Sequence, residues 1–180
     1  MRQPIFIISG EQGEGKTTTL ENVMQLLITK GVPVKGFTAP GKWKDNLRSR
    51  FFIKDLAGGE SKLLCQNKPE MGFLKTGRFY FNLKGIEYGE QILLAAKPQE
   101  LLVIDEVGMF EIKGYIWGPV LQQIVSSKKY PLIITVRKSF VDEVIRHFKI
   151  NYAFVFGLHE NPEDISEKIM TKLQHFNPVK

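Results

Sequence analysis

A glycine-rich segment near the start of the chain has the residue types and spacing that bind phosphate. It reads Gly10-Glu11-Gln12-Gly13-Glu14-Gly15-Lys16-Thr17 and fits the pattern G-x-x-x-x-G-K-[ST]. Its glycines allow backbone N–H groups to turn inward around an anion, and the helix that we expect to begin near Gly15 adds the positive end of its dipole. The Lys16 ammonium can reach the β- and γ-phosphate oxygens of a nucleotide, and the Thr17 hydroxyl can ligate Mg²⁺. We therefore predict a nucleotide-binding loop, with Lys16 also catalytic, that comprises Gly10, Glu11, Gln12, Gly13, Glu14, Gly15, Lys16, Thr17 and Thr18.

The segments on either side of this loop support the prediction. Ile5-Phe6-Ile7-Ile8 is an apolar run typical of a buried strand, and residues 20–27 carry apolar side chains at helical spacing. The order strand, loop, helix is the context that a phosphate loop requires. Glu11 and Glu14 would repel phosphate if they pointed inward, so we expect both side chains to face solvent.

A second acidic motif follows an apolar strand later in the chain. Leu101-Leu102-Val103-Ile104 runs directly into Asp105 and Glu106. Ligands of a parallel sheet bind beyond the carboxyl ends of its strands, so Asp105 should lie near the phosphate loop. Because Mg²⁺ prefers carboxylates, waters and phosphates, we predict that Thr17 and Asp105 hold this ion, directly or through a water. Glu106, one residue further on, could orient and deprotonate an attacking water.

This pair of acids favours hydrolysis over phosphoryl transfer. A base beside the γ-phosphate serves a hydrolase, whereas a kinase must exclude water and bind an acceptor. Two alternatives stay open. One is a nucleotide or nucleoside kinase. The other is a nucleotide-gated binding module that contacts RNA through the basic stretch 35–54. Trp43, which lies in this stretch, could stack on a base or anchor a loop.

Length and composition indicate one α/β domain. The chain has 180 residues, of which 43% are hydrophobic and 24% charged, and a net charge of +6. We predict a single domain over residues 1–180 with an insertion at about 38–84. The sequence contains no apolar run of membrane-spanning length, no secretory signal and only one cysteine, Cys65, so we expect a cytoplasmic protein without membrane contact. The positive charge allows nucleic-acid binding. However, the basic residues are spread along the chain, and a site for nucleotide phosphates would itself favour a positive net charge.

Apolar periodicity predicts that strands and helices alternate. We expect strands over residues 5–9, 32–37, 51–56, 101–104, 132–136 and 152–156, with further short strands at 61–65 and 79–83. We expect helices over residues 15–30, 86–96, 117–125, 140–148 and 162–176. Pro33 marks either an edge strand or the beginning of its strand. The fold class is therefore α/β, a mostly parallel sheet with helices on both faces and a small antiparallel insertion.

With these residues placed, the chain resembles the small P-loop nucleoside-triphosphatases that include the thermophile enzyme and the human cancer-related nucleoside-triphosphatase. The most specific match is Ile104-Asp105-Glu106-Val107-Gly108-Met109-Phe110-Glu111-Ile112, which is similar to the family's I-D-E-I-G-x-M-E-L. Further matches lie at residues 31–37, 50–56, 77–81 and 159–161. The resemblance implies a P-loop NTPase fold with a RecA-like arrangement, in which another strand separates the two motif strands. It also implies slow hydrolysis of ATP, GTP and other nucleoside triphosphates.

Several positions depart from the family's pattern. Gln12 stands where the phosphate loop usually has Pro, Met109 replaces a Lys, and Pro162 replaces the Arg after the final Asn. These changes leave the rate and the nucleotide preference open.

Charge that develops on the γ-phosphate needs a positive group besides Lys16. Because Arg137 follows the buried strand at 132–136, it should lie at a carboxyl end near the site, and we predict that it is catalytic. A surface arginine at a strand end is the alternative interpretation. Glu111 could orient a neighbouring group, or it could be a carboxylate that stabilises a helix start. The other arginines that we considered are Arg48, Arg50 and Arg78.

Overall fold

Parallel strands form the centre of the molecule. The computed structural model describes residues 3–44 and 47–176. Its parallel strands are β1 Ile5–Gly10, β2 Val34–Thr38, β8 Leu101–Val107, β9 Leu132–Arg137 and β10 Ala153–Gly157. They lie in the order β10-β1-β9-β8-β2, and each adjacent pair is parallel. Strand β9 therefore separates β1 from β8, as the RecA-like arrangement predicts.

Apolar side chains cover both faces of this sheet. Successive residues of β1 alternate between the faces, so Ile5 and Ile7 join one buried cluster while Phe6 and Ile8 join another. Helices α1 Lys16–Thr29 and α6 Pro162–Gln174 pack on the Phe6 side. The Ile5 side carries α2 Leu83–Leu94, α4 Gly118–Ser127 and α5 Val141–His147. The prediction of helices on both faces is confirmed.

An antiparallel extension continues the sheet beyond β2. It comprises β3 Gly41–Lys44, β4 Leu47–Asp55, β5 Lys62–Gln66, β6 Phe73–Thr76 and β7 Phe79–Asn82. Beyond β2 the order is β4-β5-β7-β6, and β3 pairs with β4. The expected short strands near 61–65 and 79–83 are present, whereas β3 and β6 were not predicted. The boundaries of the domain and of its insertion stay predictions, and these strands fall within the proposed limits of the insertion.

Several element boundaries differ from the predicted ranges by a few residues, and β2 and α2 show why. Pro33 precedes β2, which lies inside the sheet between β8 and β4, so the proline marks a strand beginning and not an edge. Helix α2 begins at Leu83, earlier than expected, because the Asn82 side chain accepts a hydrogen bond from the Lys84 N–H and caps the helix.

Candidate active site

The phosphate loop, defined as residues 10–17, joins the end of β1 to the start of α1. Gly13 and Gly15 have φ values of 84° and 106°, in the left-handed region where glycine avoids a steric penalty. Lys16 is buried, and its ammonium donates a hydrogen bond to the Glu11 carbonyl oxygen at 3.0 Å. This bond spans the loop and holds the ammonium against it.

Both acids of the loop are exposed, as predicted. The Glu14 carboxylate accepts a hydrogen bond from the Glu11 N–H at 2.7 Å, so it lies along the outside of the loop. A Cβ atom on residue 10 would come within 2.3 Å of Leu158 Cδ1, so a larger residue there would have to displace the Leu158 side chain. The segment after β10 is thus packed directly on the phosphate loop.

The Asp105 carboxylate accepts hydrogen bonds from three separate segments of the chain. Its Oδ2 accepts hydrogen bonds from Thr17 Oγ1 at 2.8 Å and from the Ala39 N–H at 3.0 Å, while Oδ1 accepts one from the Thr135 hydroxyl. The side chain is only 2% exposed, and this burial raises the pKa of Asp105 even though the three donors favour the ionised form. The structure therefore brings together Thr17 and Asp105, the two residues that we predicted to hold Mg²⁺.

Glu106 lies between two cations at the edge of the same site. Its Oε2 is 3.4 Å from Lys16 Nζ, and its Oε1 is 3.4 Å from Arg137 Nε. Unlike Asp105, Glu106 is 38% exposed and can contact solvent. Arg137 ends β9, so the expectation that it lies at a carboxyl end near the acids is met.

The other predicted arginines lie on the antiparallel extension. Arg50 and Arg78 are exposed, and the Arg78 guanidinium lies over the Phe79 ring at 4.8 Å from its centroid. The side chains of Arg48 and Trp43 lie outside the described residues. Part of the basic stretch is neutralised internally, because Lys35 is 3.7 Å from Asp55 and Lys54 is 3.5 Å from Glu21.

A cavity of about 260 Å³ opens next to the two acids. Thr17, Asp105, Glu106 and Arg137 contribute its polar residues on one side. We call the part of the cavity that is lined by Phe51, Phe79, Phe81, Met109, Phe110 and Trp117 the aromatic chamber. Sequence reasoning missed this chamber, although Phe79 and Phe81 are two residues apart on a strand and must share one face.

Glu111 is a buried acid that also lines the cavity. It belongs to the short helix α3 Met109–Ile112, is 4% exposed, and accepts a hydrogen bond from the Gly108 N–H at 2.8 Å. Its contact with Gly108 is therefore that of a carboxylate that stabilises the start of a helix. Burial raises the pKa of Glu111 to about 8, although this backbone donor favours the carboxylate.

Neither a membrane span nor a clustered metal site is present in the part of the chain that the structure describes. Within residues 3–44 and 47–176, no helix is long and apolar enough to cross a bilayer. Within the same ranges, no three side chains of His, Cys, Asp or Glu converge as a metal-binding group. The oxygens of Thr17 and Asp105 are nevertheless suited to Mg²⁺, which often takes only one or two protein ligands and completes its shell with phosphates and waters.

Comparisons with known proteins identify similar sequences and folds. Residues 5–170 match the profile of the family described as NTPase. The chain is 30% identical over 175 residues to nucleoside-triphosphatase THEP1 of Thermotoga sp. (strain RQ2), and the match covers 94% of this chain and 95% of that relative. It is also 30% identical over 150 residues to nucleoside-triphosphatase THEP1 of Sulfolobus acidocaldarius, with coverage of 81% and 85%.

Two solved structures share the fold. A human cancer-related nucleoside triphosphatase superposes with a TM-score of 0.71 at 24% identity, over 98% of this chain and 100% of that one. THEP1 from the hyperthermophile Aquifex aeolicus superposes with a TM-score of 0.70 at 23% identity, over 94% and 99%. At these identities the likeness establishes the α/β fold with its mostly parallel core.

Proposed function

Because this chain belongs to the NTPase family, we propose that it hydrolyses nucleoside triphosphates to the diphosphate and phosphate in the presence of Mg²⁺. The observation that carries the proposal is the different setting of two adjacent acids. Asp105 is buried and bonded to Thr17, whereas Glu106 is half-exposed and lies between Lys16 and Arg137. The first is suited to hold a metal ion and the second to accept a proton.

The phosphate loop supplies the binding energy for the triphosphate. Its backbone N–H groups and the start of α1 favour an anion, and the buried Lys16 ammonium adds a full positive charge. Glu106 lies near this ammonium, so phosphate oxygens compete with Glu106 for Lys16 when a nucleotide binds. Binding thus makes the carboxylate of Glu106 more available as a base.

Thr17 and Asp105 would hold Mg²⁺. Their oxygens are 2.8 Å apart, are of the hard type that this ion prefers, and adjoin the phosphate loop. The raised pKa of Asp105 reflects the desolvation of its buried carboxylate, which its three donors offset only in part and which a nearby dication would offset further. When bound, the ion neutralises charge on the β- and γ-phosphates.

Glu106 then orients and deprotonates the attacking water. The water oxygen bonds to the γ-phosphorus, the bond to the β–γ bridging oxygen breaks, and the water proton passes to the Glu106 carboxylate. The Arg137 guanidinium, held at 3.4 Å from Glu106, lies where it can stabilise charge that develops on the transferred group.

A phosphate-release screen over ATP, GTP, CTP and UTP tests the proposal. We expect release from several of the four with Mg²⁺ and its loss when EDTA removes the metal. Absence of release from all four in the presence of Mg²⁺ would contradict hydrolysis. Persistence of release in EDTA would instead contradict the role of Thr17 and Asp105 in metal binding.

A further inference from the structure

The cavity that contains the aromatic chamber is larger than one attacking water requires. A single water occupies about 30 Å³ of liquid volume, whereas the whole cavity, with its polar residues, measures about 260 Å³. Its walls are mostly apolar, and apolar cavities hold water poorly. A volume near the lower end of the range for small-molecule sites, next to a proton acceptor, is the usual form of a pocket for a compact organic ligand.

The walls of the chamber come from two different parts of the fold and are held by aromatic contacts. Phe51 and Phe79 of the antiparallel extension meet edge to face, with centroids 5.5 Å apart. Phe81 of the extension meets Phe110 of α3 in the same way at 5.4 Å. Such pairs are favourable beyond the area that they bury, so the cavity between them keeps its shape. The antiparallel extension thus supplies one wall of the pocket, and the residues that follow the Asp105-Glu106 motif in sequence supply the other.

Two acids of the cavity can contact polar groups of a small alcohol. Glu106, the proposed base, lies on the side that faces the phosphate loop, and Arg137 lies beside it. Glu111 is nearly fully buried in the lining, and among the described residues no side-chain donor bonds to its carboxyl group. A polar substituent on a bound ligand would provide that partner.

We propose that the aromatic chamber binds the apolar body of a small alcohol and that the protein transfers the γ-phosphoryl group of a nucleoside triphosphate to its hydroxyl. This inference rests on the proposed function, since it needs a nucleotide on the phosphate loop with Glu106 beside its γ-phosphate. The alcohol oxygen bonds to the γ-phosphorus, the bond to the β–γ bridging oxygen breaks, and the hydroxyl proton passes to Glu106. The products are a phosphate monoester and the nucleoside diphosphate. The two acids alone favoured hydrolysis, and the apolar chamber is the acceptor site that phosphoryl transfer additionally requires. In the absence of an acceptor, water takes the place of the alcohol.

The lining also indicates which acceptors the chamber excludes. Arg137 is the one cation among its described lining residues, while Asp105 and Glu106 can carry negative charge and Glu111 is a buried acid with a raised pKa. A nucleotide or another phosphorylated acceptor would bring further negative charge to this side of the site. The chamber therefore favours a neutral acceptor with an aromatic or branched aliphatic body.

The test follows the fate of labelled γ-phosphate. The wild-type chain is incubated with Mg²⁺, γ-labelled ATP and benzyl alcohol, 4-hydroxybenzyl alcohol or 3-methylbutan-1-ol, and glycerol serves as a polar acceptor without an apolar body. The ratio of labelled phosphate ester to labelled free phosphate is measured. We expect a saturable ester product with at least one of the three apolar alcohols, and at least about tenfold less with glycerol at equal concentration.

A matched pair of variants locates the acceptor. Met109→Trp places a larger side chain in the chamber, and Met71→Trp makes the same change at a residue that is 99% exposed and outside the lining. We expect the ratio of ester to free phosphate to fall at least about tenfold in Met109→Trp and to stay unchanged in Met71→Trp. Circular dichroism checks that both variants fold. Should Met109→Trp fail to fold, Phe79→Ala is measured in its place, and its altered wall should lower the same ratio.

The possible results separate the two proposals. Free phosphate without any ester would overturn the acceptor site and leave hydrolysis intact. Ester formation that Met109→Trp or Phe79→Ala does not reduce would also overturn it, since transfer would then occur outside the chamber. Absence of both products would contradict the proposed function together with this inference.

Discussion

Thr17 Oγ1 and Asp105 Oδ2 lie 2.8 Å apart although 88 residues of chain separate them. The hydrogen bond joins the end of the phosphate loop to the end of β8. It is possible because β1 and β8 are both parallel to β9, so their carboxyl ends meet at one edge of the sheet. The donors for a metal ion are thus brought together by the fold itself.

Thr135 supports Asp105 from the intervening strand β9. Thr135→Val removes the hydroxyl that donates to Oδ1 at a fully buried position and leaves that carboxylate oxygen without this donor. We expect the free energy of unfolding at neutral pH to fall by about 1–3 kcal/mol. Urea denaturation measures the change, and Thr171→Val on the exposed face of α6 serves as the control. Equal stability of Thr135→Val and Thr171→Val would contradict this role.

Substitution of Lys16 should weaken Mg-ATP binding and slow turnover together. Lys16→Ala removes the buried ammonium that contacts Glu11 and Glu106, so we expect the Kd for Mg-ATP to rise at least about tenfold and kcat to fall by a similar factor or more. Isothermal titration and phosphate release measure the two effects. Lys30→Ala, at the far end of α1 and about 20 Å away, should change neither. A loss of turnover with unchanged affinity would contradict a role in phosphate binding.

Arg137 should act mainly on the chemical step. Arg137→Gln removes the guanidinium beside Glu106, and we expect kcat to fall by about 10–10³-fold with a smaller change in KM. Arg146→Gln, an exposed position on α5, is the matched control. If both variants retain wild-type kcat, Arg137 is a surface arginine at a strand end.

Glu111 should make stability depend on pH. The folded protein keeps the proton on Glu111 up to about pH 8, whereas the unfolded chain releases it near 4.5. The folded state therefore binds more protons within this window, and wild-type stability falls as pH rises through it. Glu111→Gln stays neutral, so its stability relative to wild type should increase by about 1 kcal/mol per pH unit.

Urea denaturation of both proteins at pH 5.5, 7.0 and 8.5 measures this trend for Glu111. All other titratable side chains are the same in both proteins, so the difference between wild type and variant isolates Glu111. A difference that does not change with pH would show that Glu111 does not hold a proton in the fold. Glu163→Gln, an exposed change on α6, should give such a flat difference.

The features that the sequence predicted well depend on local pattern. The phosphate loop needs only its glycines, Lys16 and the flanking strand and helix, and the position of Arg137 follows from the end of a strongly apolar strand. Parallel-sheet geometry then places loop, acids and arginine at one edge, because all parallel strands end on the same side.

The features that were missed depend on contacts between distant segments. Phe81 lies in β7 and Phe110 in α3, and the chain between them passes through α2 and β8 before the two rings meet. No local pattern in the sequence specifies this contact. Strands β3 and β6 are only four residues long, so they carry no clear alternation of apolar and polar residues. The burial of Glu111 likewise depends on the packing of α3 against α4, since Gly118 lies directly against its backbone.

If Glu106 activates the nucleophile, Glu106→Gln must remove turnover and spare nucleotide binding. Phosphate release from Mg-ATP, the Kd for Mg-ATP and circular dichroism are measured for wild type, Glu106→Gln and the exposed control Glu163→Gln. We expect Glu106→Gln to fold, to bind Mg-ATP as tightly as wild type or more so, and to lose about 10²–10⁴-fold in kcat, while the control matches wild type. Phosphate release by Glu106→Gln at the wild-type rate would show that Glu106 is not the base.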